Sequence, residues 1–288
     1  MNKMHFKNFV SLTLAIVMVL GMSVTVFAHT ASSTNHQETS LTLNEYELAE
    51  QLAAQTPEIL SENGFDSSEI ASIKNYKEVY REHIAYLNTL SNDALIKNGY
   101  TNEQISIIRS FSGSETEMRR LGGTLTLTAT PGTFSYDGDY SRGTLSYSWN
   151  WKNIPAFKMQ DMVAASWNNW AVTNNTSSVK YYNVNTGAYY TTQSATFSQD
   201  GNGVLGAGHK FQESLSDNYY YAKSGTGSFT LKSDVHAKKD FYYYVAYGHS
   251  QIVASISFSV GIGGGDASIS FSTGTVISGD EHGSKVTS

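Results

Sequence analysis

The hydrophobic period of this chain changes once, near residue 121, and that change confines it to a fold in which helices come first and strands follow. Before the break, Leu43, Tyr46, Leu48, Leu52 and Ile59 recur at roughly helical spacing, with Pro57 interrupting the run. After it, Thr124-Leu125-Thr-Leu127-Thr-Ala129-Thr alternates apolar and hydroxyl residues, the period of a half-buried strand. Charge breaks at the same place. Between His29 and Arg120 seven Lys and Arg meet fourteen Asp and Glu, whereas from Leu121 onward ten meet eleven. Neither part has the basic excess that phosphate binding needs, which argues against a nucleic-acid partner. The fold class expected is α+β by segments: a polar linker over 29–42, a small acidic helical module over 43–120, and an antiparallel β-sandwich or barrel-like domain over 121–288.

Residues 1–28 read as a signal peptide. Lys3 and Lys7 precede an uncharged run from Phe9 to Phe27, and Val26-Phe27-Ala28 presents small residues where a signal peptidase cuts. A signal anchor is the alternative, since the run is about long enough to span a bilayer. The chain of 288 residues contains no cysteine, so an exported fold must rely on its core alone, as on a Gram-positive cell surface or in the medium.

The helical part contains an internal repeat. Leu60 to Tyr76 aligns with Leu95 to Phe111 at an offset of 35 residues. In each copy a glycine (Gly64, Gly99) ends one helix, and a capping-box pair (Asp66 with Glu69, Thr101 with Gln104) opens the next. The Asn-Gly-Phe and Asn-Gly-Tyr turns resemble the Gly-aromatic loop of ubiquitin-associated three-helix domains and also helix-hairpin-helix DNA modules. The second resemblance lacks the further glycine that would bring backbone N–H groups to phosphate. A structural pair of α-hairpins is the simpler reading. The segment ends at Arg119-Arg120-Leu-Gly122-Gly123, a junction that a protease could reach if the helical part is a pro-region.

In the β part, strands are expected over 145–151, 162–170, 179–184, 188–197, 219–222, 227–231, 241–247, 252–262 and 267–277, separated by turn signals such as Asp137-Gly138 and Arg142-Gly143. Trp149, Trp151, Trp167 and Trp170 form a candidate ligand-binding platform for sugar rings; the competing place for them is the hydrophobic core. Tyrosine doublets at 181–182, 189–190, 219–221 and 242–244 must put rings on both faces of their strands, which predicts an aromatic, hydroxyl-rich exterior suited to glycans, polymers or protein partners.

The last alternating stretch sets Ile252, Ala254, Ile256, Phe258, Val260 and Ile262 against Ser255, Ser257, Ser259 and Gly261. It turns at Gly263-Gly264-Gly265-Asp266 and returns with Ala267, Ile269 and Phe271 against Ser268, Ser270 and Ser272. Each arm is close to the length of a transmembrane β-strand. This pattern resembles the insertion hairpin of β-pore-forming toxins, and the resemblance implies a membrane partner for Ile252, Ile256, Phe258, Val260, Ile262, Ile269 and Phe271. An ordinary half-buried hairpin alternates in the same way.

Catalytic chemistry is hard to find. His29, amino-terminal after cleavage, resembles the copper-binding first residue of polysaccharide monooxygenases, but a polar stretch follows it instead of that family's strand. His209, His236, His249 and His282 show no metal-ligand spacing, and Asp137-Gly-Asp139 and Asp200-Gly-Asn202 read as turns rather than calcium loops. The sequence therefore predicts a secreted, non-enzymatic protein with no cofactor and no metal. It would bind a glycan, cell-wall, matrix or host component, with a membrane-active toxin as the alternative.

Overall fold

Thr39–Asn44 forms a strand (β1) at the point where a linker was expected to give way to helix. In this computed structural model residues 39–199, 204–251, 256–263, 266–271 and 275–284 are described. The leader, His29, His36, the turn at 200–203 and Ile252 lie outside the described residues.

Seven helices follow β1 among the described residues: α1 (Glu45–Ala54), α2 (Pro57–Glu62), α3 (Ser67–Lys74), α4 (Tyr76–Thr89), α5 (Asn92–Lys97), α6 (Asn102–Arg109) and α7 (Glu115–Leu121). The two repeats close alike. Phe65 N–H bonds the Leu60 carbonyl at 3.1 Å and Tyr100 N–H that of Leu95 at 3.0 Å, across glycines at φ +93° and +94°. Asp66 and Thr101 then each make a complete capping box. Ser114 with Glu117 makes a third, opening α7.

The strands that follow are β2 (Thr124–Pro131), β3 (Ser135–Tyr136), β4 (Ser141–Trp151), β5 (Gln160–Trp167), β6 (Trp170–Asn183), β7 (Tyr189–Gln193) and β8 (Thr196–Gln199). Then come β9 (Gly206–Gln212), β10 (Ser214–Leu215), β11 (Tyr220–Ser233), β12 (Phe241–Ser250), β13 (Phe258–Gly263), β14 (Asp266–Phe271) and β15 (Thr275–Ser284). They build an antiparallel sheet in the order β1-β2-β4-β11-β6-β7, with β3 beside β4 and β10 beside β11. A second sheet runs β15-β12-β5-β9-β8, and β13-β14 stand as a two-stranded sheet of their own. Among the described residues none closes into a barrel. The two large sheets share one buried cluster, in which Leu127, Trp149, Val179 and Phe229 of the first meet Val163, Phe211, Val245 and Tyr247 of the second.

An independent helical module is not what forms. Strand β1 pairs with β2 over its whole length, and Ile154, Val184 and Tyr221 belong to the same buried cluster as Tyr80, Ile84, Leu87 and Tyr100 of the helical segment. All described residues fall in one compact unit. Nor is the junction at Arg119-Arg120 an open loop. Both arginines lie on α7, paired with Glu50 and Glu103, while Leu121, Gly122 and Gly123 are buried.

Candidate functional site

All four tryptophans are in the core, each 3 % exposed or less. The pleat of β4 sends Tyr147, Trp149 and Trp151 inward, and glycines across the register make room for the rings. A Cβ at Gly225 would lie 2.6 Å from Trp149 Nε1, and one at Gly227 would lie 2.3 Å from the Tyr147 ring. Trp149 stacks on Phe211 at 4.8 Å, and Trp170 meets Phe134 and Phe241 edge-on. Trp167 Nε1 donates to the Trp170 carbonyl at 2.6 Å. The platform expected from these residues is therefore corrected to the interior, because strand alternation aims them at the facing sheet.

The other face of the same strands is almost entirely hydroxyl and amide. In register, Thr126, Asn150, Ser224 and Lys180 form one row across β2, β4, β11 and β6, and Thr128, Ser148, Thr226 and Ser178 form the next. These rows line an open groove on the outer surface. Facing pairs on a sheet share a side, so four strands with Ser or Thr at every second position yield this surface without further design.

Toward β7, the edge strand of the sheet, the tyrosines gather. Tyr189, Tyr190 and Tyr219 are 56 %, 50 % and 54 % exposed. Tyr190 stacks on Tyr220 at 3.7 Å, Tyr182 meets Tyr189 edge-on at 5.8 Å, and Lys223 Nζ stands 5.2 Å from the Tyr182 ring. Tyr189 and Tyr182 pair in register, whereas Tyr190 falls at a β-bulge between Tyr189 and Thr191 and its ring lies on that of Tyr220. Tyr219 follows three consecutive left-handed residues, Ser216, Asp217 and Asn218 at φ 50°, 53° and 71°. Such backbone is strained for residues other than glycine and tends to occur at functional sites.

A second group of titratable residues is enclosed. His249 Nε2 lies 3.0 Å from Glu45 Oε1, and His249 Nδ1 lies 3.0 Å from both oxygens of Asp161. Tyr247 donates to Asp161 Oδ2 at 2.6 Å, and Glu45 also accepts the amides of Ala156 and Phe157 at 2.8 and 2.9 Å. Burial would pull the His249 proton off, but the charges and hydrogen bonds of Asp161 and Glu45 outweigh it and raise the pKa to about 10. Burial pushes Glu45 up, yet His249 and the two amides hold it below its ordinary value. Glu213, buried beside this group, is driven well above the carboxylate range by burial and by Asp161. The cluster has no exposed member, and its bonds hold α1 against β5 and β12. Sequence spacing could not find it, because Glu45 and His249 are 204 positions apart.

The remaining histidines do other work. His209 bonds Tyr147 Oη at 2.7 Å and stacks on Phe229 at 4.8 Å inside the core, and burial lowers its pKa to about 4. His236 pairs with Asp139 at the surface. Asp137 accepts the amides of Asp139 and Tyr140 and the Arg142 guanidinium, which makes that segment a closed turn. Among the described residues no group of His, Asp or Glu side chains is arranged to hold a metal, and no helix is long and apolar enough to cross a membrane.

The alternating hairpin is shorter than its pattern implied. Phe258–Gly263 and Asp266–Phe271 pair as β13 and β14, whereas Thr275–Ser284 leaves the hairpin and adds to β12 as β15. Ile256 and Ile269 are buried, Phe258, Val260 and Phe271 are half-buried, and Ser257 and Ser259 face outward. Ile262 stands in register with Ala267.

No family model and no curated protein matches the chain. Among solved structures, the Clostridium perfringens NetB toxin in its membrane-inserted form is 10 % identical, with a TM-score of 0.25 over 56 % of this chain and 89 % of that one. A structure from work on Streptococcus parasanguinis adhesion by Fap1 fimbriae is 11 % identical, with a TM-score of 0.25 over 56 % and 80 %. AvmM, which catalyses a macrocyclization in alchivemycin A biosynthesis, is 11 % identical, with a TM-score of 0.26 over 50 % and 79 %. Similarity this slight assigns this chain neither a fold family nor an activity.

Proposed function

We propose that this is a secreted, non-enzymatic protein that binds a glycan-bearing cell-surface, matrix or host component with one sheet of a β-sandwich. The observation that carries the reading is the tyrosine edge: three rings at least half exposed, beside a stacked pair, on a protein that buries every tryptophan. Tyrosine gives a sugar ring an apolar face and a hydroxyl at little entropic cost. The hydroxyl rows of the neighbouring face supply donors and acceptors, with Lys180 as a single cation among them.

The test is retention on immobilised peptidoglycan and on a panel of glycans and matrix proteins. Tyr190→Ala and Tyr219→Ala together should lower retention at least tenfold while the unfolding midpoint stays put, since both rings are surface groups. A Trp149→Ala protein should instead lose stability. Wild-type retention on none of the supports, or unchanged retention of the double tyrosine variant, would overturn the proposal.

A further inference from the structure

The outer face of the β5–β12 sheet is paved with small residues, and the hairpin lies on it. Ala164 of β5 and Ala246 of β12 pack against Ile269, with Phe258 and Phe271 alongside. Gly206 and Gly248 complete the floor. A Cβ at Gly206 would come within 2.6 Å of Val260 Cγ2, and one at Gly248 within 2.7 Å of Ile256 Cδ1 and 2.8 Å of Phe271 Cδ1. The glycines thus leave room for the apolar side chains of β13 and β14. Within the hairpin, apolar register pairs (Phe258 with Phe271, Val260 with Ile269, Ile262 with Ala267) alternate with Ser259–Ser270 and Gly261–Ser268.

We infer that the apolar row of β13–β14 is a lipid-binding surface, stored against the glycine and alanine floor and exchanged from it onto a bilayer. Four observations favour hydrocarbon over a protein groove as the second partner. Among the described residues β13 and β14 pair only with each other, so leaving the floor breaks no strand pairing there and gives up the bond from Ile256 N–H to Gln160 Oε1 at 3.1 Å. From Gln251 to Gly274 the only charged residue is Asp266, at the turn. The described side chains that pack toward the floor, Ile256, Phe258, Val260, Ile269 and Phe271, are all apolar. The non-apolar positions are Ser and Gly, which suit a watery lumen or headgroups and offer a protein partner no charge to recognise.

The test uses the full exported chain with vesicles of equimolar phosphatidylcholine and phosphatidylglycerol that hold a self-quenched dye. Gly248→Val crowds Ile256 and Phe271 and should raise vesicle partitioning and dye release about tenfold over wild type. The chain has no native thiol, so G248C with F271C creates a single possible disulfide. Once oxidised, that protein should release no dye, and reduction should restore release to the wild-type level or above. Hydrogen exchange supplies the independent readout: vesicles should change protection in 258–271 and leave β5 and β9 unaltered. Two results would overturn the inference. One is folded Gly248→Val protein that neither partitions nor releases dye; the other is release from the oxidised pair equal to that from the reduced pair, since the lipid-active part would then lie elsewhere. In the first case, self-association of Gly248→Val would make a second copy the partner.

Discussion

At the scale of single residues, one proton does much of the fixing. His249 carries it between two buried carboxylates, and either carboxylate left alone there would be costly. Replacing His249 with Gln should destabilise the protein by about 3–5 kcal/mol, read as a lower urea midpoint by tryptophan fluorescence. The pH dependence has a definite sign. The folded-state pKa of about 10 lies above the ordinary 6.5, so this stabilisation is complete below about pH 6.5 and is lost as pH rises toward 10. Glu45 is held below its ordinary value, so its share is present above about pH 4.5 and is lost on acidification. The Gln variant should lose the His249 part of the alkaline decline; an unchanged slope between pH 7 and 10 would mean another group titrates there.

At the scale of elements, local chemistry was legible and partnership was not. The turn glycines, capping boxes and tyrosine doublets each act within a few positions, and the sequence displays them directly. The structure ranks the two glycines, however. Both adopt positive φ, but a Cβ at Gly99 would fall 1.8 Å from the Lys152 carbonyl oxygen, where a helix turn presses on the end of β4. Gly64→Ala should therefore cost about 1 kcal/mol, while Gly99→Ala should cost several times as much, measured by thermal or urea unfolding. What the sequence could not show is which strand lies beside which. Strand β5 is buried along nearly its whole length because the hairpin covers its outer face, so its alternation disappears. Strand β9 (GAGHKFQ) reads like a turn, since its glycines serve neighbours far off in sequence. The second hairpin arm looked eleven residues long because alternation continues into β15, which pairs elsewhere. The aromatic row of β4 was visible, but its direction depended on a second sheet that only the fold supplies.

At the scale of the whole molecule, the helices and the strands that follow them are joined by shared buried contacts, although the sandwich core and the helical core are separate clusters. A chain beginning at Leu121 would lack β1, expose the β2 edge along six register pairs and lose Glu45 from the cluster around His249. Such a chain should aggregate or remain unfolded, judged by gel filtration and circular dichroism, and supplying 39–120 as a separate polypeptide should rescue it in part. Monomeric folding of the shortened chain would show the acidic segment to be dispensable. The 204 positions between Glu45 and His249 also impose a timetable. A ribosome adding about 5–20 residues per second makes Glu45 roughly 10–40 s before the base that neutralises it. In the early part of that interval the helical segment is made before Ile154, Val184 and Tyr221, the residues it packs on, and contacts of such long range form slowly. Its excess of carboxylates over cations then serves as a solubility tag that the chain carries until its own far end arrives.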